Sequence, residues 1–249
     1  MKQTTYTLPR GRFARSTCFA LVADLHGDDP TDALIVLREK RPDYILMPGD
    51  IFECLDGKDC RARENALALL AGAATIAPTF YSTGNHEDGA KHSWSPTWRF
   101  EIKERRYAER DLKAIEDTGA ILLCDEFLLK DGIAFGGLSS GLINENRMPS
   151  LAWLVDLCGA EAPRVLLCHH PEYYEKYLKN LPIDLVVSGH AHGGQWRVFG
   201  RGVFAPGQGI FPKYTAGVYG ERLVVTTGLK KSKIPRFFNE REIVFIEIQ

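Results

Sequence analysis

The chain has 249 residues, of which 45% are hydrophobic and 25% charged, and a formal net charge of −1. That length fits one α/β domain with a substantial core, and the near-zero balance gives a polyanion such as nucleic acid no general electrostatic claim as an obligatory partner. No run approaches membrane-spanning length, and Met1 to Ser16 lacks an apolar stretch of signal-peptide length, so a soluble cytoplasmic protein is expected, with peripheral membrane contact left open.

In chain order, Cys18 to Ala23 reads as a strand, and Asp28, Asp29 and Pro30 start a helix that runs into Ala33 to Leu37. Tyr44 to Met47 is the next strand, an Ala- and Leu-rich helix spans Ala62 to Ile76, and Thr79 to Ser82 is a strand ending at Gly84. Residues from about 88 to 110, with Trp94 and Trp98, show no core strand and are expected to form a lid-like insertion within a single domain covering 1–249. Their charged helix carries Ile102, Leu112 and Ile115 on its apolar stripe; packing outside the fold is the alternative.

Shorter strands follow at Ile121 to Leu123, Phe127 to Leu129 and Ile133 to Phe135, then a helix near Ser150 to Leu157 and strands at Arg164 to Cys168 and Leu185 to Val187. Phe204 to Pro212 is too rich in Gly and Pro for regular structure, and strands at Leu223 to Thr227 and Ile243 to Ile248 close the chain. Repeated β-loop-α units predict a layered α/β fold. Cys18, Cys124 and Cys168 lie in apolar runs and are expected to be buried thiols, while Cys54 and Cys60 flank a loop after Asp50. Basic clusters at Arg10, Arg12 and Arg15 and at Lys230, Lys231, Lys233 and Arg236 read as solvated surface, with steering of an anionic substrate or lipid headgroup as the alternative.

The chemistry-bearing residues come in short stretches at strand ends: Asp24-Leu25-His26, Gly49-Asp50, Gly84-Asn85-His86-Glu87, His169-His170-Pro171 and Gly189-His190-Ala191-His192. Asp and Asn oxygens with imidazole nitrogens suit borderline divalent metals, and the absence of thiolates argues against a structural zinc finger. The donors Asp24, His26, Asp50, Asn85, His169, His190 and His192 exceed what one ion accepts while keeping room for water, so two ions bridged by the Asp50 carboxylate are expected, about 3.5 to 4 Å apart. In an extended segment, residues two apart share a side, so the Asp-x-His and His-x-His pairs should each face one metal. A glycine before Asp50, Asn85 and His190 permits a sharp turn and close backbone approach.

This series resembles the calcineurin-like metallophosphoesterase superfamily over nearly the whole chain. The stretches Gly189 to Gln195, Phe204 to Tyr214 and Pro235 to Phe238 resemble a small bacterial phosphodiesterase-like branch near the UDP-diacylglucosamine hydrolases. The resemblance implies a four-layer α/β/β/α sandwich with two central mixed β-sheets. It also implies one metal on Asp24, His26, Asp50 and His192, and a second on Asp50, Asn85, His169 and His190. His86 would act as the catalytic acid on the leaving group, with Asn85 and His86 in contact with substrate, while His170 is expected either to stand behind the ligands or to contact substrate. His170 stands where relatives often have Asn, and the sequence after Asp50 lacks the Asp-Arg-Gly of protein phosphatases. The function implied is a dinuclear-metal-dependent phosphodiesterase or pyrophosphatase acting on a small or lipid-linked ester through a metal-bridging hydroxide. Manganese is the first choice of ion, with iron, zinc or cobalt acceptable. A nuclease of the same fold and a non-catalytic metal-binding scaffold are the alternatives.

Overall fold

A computed structural model describes residues 1–53, 60–88, 109–140, 150–231 and 236–249. The expected lid therefore lies, over 89–108 and with both its tryptophans, outside the described residues, as does Cys54.

The elements follow in chain order as β1 (Lys2–Leu8), β2 (Thr17–Leu21), α1 (Thr31–Lys40), β3 (Tyr44–Pro48), α2 (Cys60–Ala74), β4 (Thr79–Ser82), α3 (Glu109–Glu116) and β5 (Ile121–Leu122). Next come β6 (Glu126–Lys130), β7 (Ile133–Leu138), α4 (Leu154–Gly159), β8 (Arg164–Cys168) and β9 (Leu185–Ser188). Two minimal hairpins, β10 (Arg197–Val198) with β11 (Arg201–Gly202) and β12 (Phe204–Ala205) with β13 (Gly209–Ile210), precede β14 (Gly217–Tyr219), β15 (Leu223–Val225) and β16 (Glu242–Ile248).

Two mixed six-stranded sheets result, ordered β1-β16-β2-β3-β4-β5 and β14-β15-β9-β8-β7-β6. Within them β2, β3 and β4 run parallel, as do β8 and β9, so the C-terminal ends of each group lie at one edge of its sheet. The strands β3, β8 and β9 are buried along their whole length because both faces are covered, as their continuous apolar runs require. One core cluster, including Phe19, Leu46, Phe80, Phe135, Leu167 and Val187, joins the facing sides of the two sheets. Phe80 and Phe135 stack across it at 3.9 Å between ring centroids. On the outer faces, α1, α2 and α3 cover the first sheet through Leu37, Leu69, Leu70 and Ile115, and α4 covers the second through Leu154 and Leu157. The layers are therefore α/β/β/α, as the resemblance implied.

Several expectations need correction. Phe204 to Pro212 is not irregular throughout: Phe204 pairs with Ile210 and Ala205 with Gly209, the glycines at 207 and 209 taking the positive φ the turn demands. Of the thiols, Cys168 alone is buried among those described; Cys18 is half-buried and Cys124 exposed, because Cys124 follows the short β5 at the sheet edge. The strand β1 had no counterpart in the sequence reading.

Candidate metal centre

All seven candidate ligands lie in loops that leave the C-terminal ends of β2, β3, β4, β8 and β9, where the two sheets meet. The first two loops are zipped together by main-chain bonds, Asp24 N–H to Gly49 O at 3.2 Å, His26 N–H to Asp50 O at 3.0 Å and Gly27 N–H to Ile51 O at 3.0 Å. The expected extended pairing of Asp24 with His26 and of His190 with His192 does not occur. Asp24, His26, Asp50, His190 and His192 all have positive φ, between 44° and 64°. Left-handed backbone at each position turns the side chains inward, something strand alternation could not do at this curvature. His190 and His192 accordingly fall into different donor groups.

Asp24, His26 and His192 form one such group, and Asp50, His169 and His190 another, with ligand atoms in each lying within 4.8 Å of one another. Asn85 joins the second group, its Oδ1 standing 3.2 Å from His169 Nε2. His190 Nδ1 and Asp50 Oδ2 also stand 3.2 Å from that nitrogen. His169 Nδ1 faces the Pro48 carbonyl at 2.8 Å, which can only accept, so Nδ1 carries the hydrogen and Nε2 turns to the three donors. His26 repeats this logic: Nδ1 binds the Glu53 carboxylate at 2.9 Å, while Nε2 is buried without a hydrogen-bond partner, 3.6 Å from Asp50 Oδ2. An unpartnered buried imidazole nitrogen aimed at a carboxylate oxygen is what a metal ligand looks like without its metal. The donor set fits divalent ions.

Close approach is real at all three glycines expected to provide it. A Cβ on Gly84 would lie 2.2 Å from Asp50 Oδ1, and one on Gly189 2.6 Å from Asp24 Oδ2. The third, Gly49, has φ +89° and abuts Gly84.

Burial lowers the pKa of His26 to about 4 and drives His190 and His192 well below the ordinary value, so these three are held neutral and able to ligate. For His169, burial works against the charge, but Asp50, Asp24 and Glu87 outweigh it and raise the pKa to about 10. Burial raises Asp24 to about 7, whereas at Asp50 burial is overcome by His169 and His86, which hold its carboxyl well below the usual range.

His86 stands at the partly open side, its Nδ1 2.9 Å from the Glu53 carbonyl and its ring edge-on to His26 at 4.4 Å. His170 is fully buried, with Nε2 2.5 Å from Ser140 Oγ and Nδ1 3.5 Å from Glu172, so it stands behind His169 and His190. Two carboxylates of the site were not singled out from sequence. Glu53 links His26 to Lys230 Nζ, at 3.4 Å; burial opposes its charge, but His26, His86 and Lys230 hold its pKa at about 2. Glu87 accepts four main-chain N–H groups, from Asp50 and Gly84 on Oε2 and from Ile51 and Phe52 on Oε1, all between 2.7 and 3.0 Å. Their positions, three residues after Asp50 and two after Asn85, were the available signal.

A family model described as calcineurin-like phosphoesterase matches residues 19–194. Phosphodiesterase YaeI of Escherichia coli (strain K12) is 28% identical over 210 residues, covering 79% of this chain and 66% of that protein. A metallophosphoesterase of Helicobacter pylori (strain ATCC 700392 / 26695) is 23% identical over 219 residues, 85% of this chain and 52% of its own. The chain thus spans about two thirds of the first relative and about half of the second. A crystal structure from Thermus thermophilus has a TM-score of 0.47 at 16% identity, covering 70% of this chain and 82% of that one.

Proposed function

We propose, since the chain belongs to the calcineurin-like phosphoesterase family, that it is a metal-dependent hydrolase of phosphate diesters or pyrophosphates, working on a small or lipid-linked ester at a centre of two divalent ions. The observation that carries this reading is the position of Asp50 Oδ2, 3.6 Å from His26 Nε2 and 3.2 Å from His169 Nε2, which joins the two donor groups at one carboxylate. On it, Asp24, His26, Asp50 and His192 would hold one ion and Asp50, Asn85, His169 and His190 the other. Manganese is the ion to try first, and iron, zinc or cobalt also suit oxygen and nitrogen donors.

When bound, such a pair supplies a Lewis acid that activates water near neutral pH and offsets charge on the phosphoryl oxygens. The chain's own contribution is positional. Glu53 fixes the tautomer of His26, and its carbonyl orients His86 so that Nε2 is presented to the departing oxygen. His86 is the proton donor in this scheme, beside Asn85 in contact with the phosphate, and His170, being fully buried, supports His169 and His190 in it. The name of the Escherichia coli relative favours diesters. A cytoplasmic setting fits the free thiols, which stay reduced there.

The test is hydrolysis of bis-p-nitrophenyl phosphate against p-nitrophenyl phosphate by metal-stripped protein reloaded with manganese, with Asp50→Asn as control. Diester hydrolysis that needs the ion and disappears in the control is expected. Two ions bound per chain with neither ester hydrolysed would refute the proposal in favour of a binding scaffold.

A further inference from the structure

The residues that follow His192 build a surface the metal centre does not use. Phe199 at the tip of the first hairpin is fully exposed, Phe238 is 91%, Phe211 76% and Ile210 72% exposed, and Phe204 and Phe237 are open as well. Phe204 and Ile210 are direct cross-strand partners, Phe211 N–H bonds Val203 O at 2.9 Å, and Arg197 N–H bonds Phe237 O at 3.1 Å, so both hairpins and the 236–239 segment form one contiguous region. No helix among the described residues is long and apolar enough to cross a membrane.

Two physical facts make this exposure informative. Phe199, Phe211 and Phe238 have φ of 49°, 52° and 52°, a left-handed conformation that a bulky side chain adopts only at a cost and that Gly or Asn would take more readily. Folding of the free protein therefore gains little from phenylalanine at these positions, on either backbone or burial grounds, and the inference runs from the outliers to a role outside the chain. Charge points the same way. The stretches 194–220 and 228–238 contain no Asp or Glu in sequence, and although Lys213 pairs with Glu175 at 2.8 Å and Lys230 with Glu53 at 3.4 Å, Arg197, Arg201 and Lys231 have no carboxylate within their own stretches. A recess of about 310 Å³, lined by Lys230, Lys231, Arg236 and Arg241 together with Glu240, opens next to Asn239, the neighbour of Phe238.

We propose that this aromatic and basic surface docks on an anionic lipid bilayer. Projecting phenylalanines, Phe199 at a hairpin tip, Phe238 in a turn and Phe211 just past a hairpin strand, accompanied by aliphatic Val198 and Ile210 that offer no face for base stacking, suit insertion among acyl chains better than nucleic acid. The cations supply the second attraction that weak apolar anchors need. The surface is anchored on the metal-ligand loop. Arg236 and Asn239 donate to the His192 carbonyl at 3.1 and 2.7 Å, and Gly207 at the second hairpin's tip abuts Glu172. Docking would thus set the centre beside the headgroups. It rests on exposure, strain and charge, and is tested apart from hydrolysis.

The experiment is co-sedimentation of the full chain with vesicles of phosphatidylcholine alone and of phosphatidylcholine with phosphatidylglycerol, across a salt series. The wild type should bind the anionic vesicles, and salt should weaken the binding. Phe199→Gly, Phe211→Gly and Phe238→Gly should each reduce partition on the order of tenfold, the transfer value of one aromatic side chain. The same variants should leave the melting temperature unchanged or raised, because glycine relieves the left-handed strain. Arg201→Ala and Lys231→Ala should each lower partition about fivefold, and Val155→Ser, at an exposed apolar position on α4, should not. Failure to bind anionic vesicles at low salt, or binding untouched in the triple glycine variant, would overturn the proposal. So would self-association, or oligonucleotide binding in preference to vesicles, that the glycine substitutions abolish.

Discussion

Glu87 offers the sharpest check on how the centre is built. Its carboxylate lies fully buried and accepts from four main-chain N–H groups that fix the turns at Gly84 and Asp50. In Glu87→Gln, nearly the same volume is kept, but one oxygen becomes an amide NH2. Whichever way the amide is turned, two N–H groups then face a donor instead of an acceptor. Each buried donor left unsatisfied costs about 1 to 3 kcal/mol, so the metal-free variant should be less stable by about 2 to 6 kcal/mol. Urea unfolding of the metal-free protein, with the slope of the transition unchanged, measures this. Because the turns carry Asp50 and Asn85, metal affinity should fall as well, by roughly 10- to 100-fold, which competition with a chromogenic chelator reads. A glutamine variant with wild-type stability and wild-type affinity would refute the claim that Glu87 holds the loop.

Other outcomes follow from the same geometry. His86→Ala should reduce turnover by about 10²- to 10⁴-fold while metal content stays intact, checked by elemental analysis beside the rate; loss of both together would make His86 structural. Gly84→Ala brings a Cβ to 2.2 Å from Asp50 Oδ1 and 2.6 Å from Asp50 N, so it should destabilise the fold by about 1 to 3 kcal/mol and impair metal uptake. In the metal-free protein, the depressed pKa values of His26, His190 and His192 mean that the unfolded chain binds more protons below pH 6.5. The contribution of these three to stability is therefore lost as pH drops from 6.5 towards 4, that of His26 alone being about 3 kcal/mol. Asp24 and Asp88, both raised to about 7 chiefly by burial, act in the opposite sense over the same range, as does Glu87, so the histidine share is read from His26→Ala: its urea midpoint should fall less, or rise more, on acidification than that of the wild type, and an identical pH dependence would contradict the assignment. His169 runs the other way, since its raised pKa stabilises fully below pH 6.5 and is lost as pH climbs through about 10.

What the sequence discloses and what it hides divide along physical lines. Strands covered on both faces announce themselves, so β3, β4, β8 and β9 match their apolar runs to within a residue or so. The strand β1 does not, because KQTTYTL is mostly exposed and owes its conformation to parallel pairing with β16, at the far end of the chain. The candidate donors stand out in the sequence for a similar reason: metal chemistry selects residue types, and types are written in the sequence. Their arrangement was not, because it rests on left-handed backbone at Asp24, His26, Asp50, His190 and His192, a conformation these residues rarely adopt alone and which no local pattern marks. Each such turn is locally unfavourable and is held by long-range partners, among them the zipped main chains at Asp24 to Gly27, the clamp of Glu87 and the contact of His169 with Pro48. The centre therefore exists only once both sheets are assembled. A chain that failed to pack Phe80 against Phe135 would keep every ligand and lose the site.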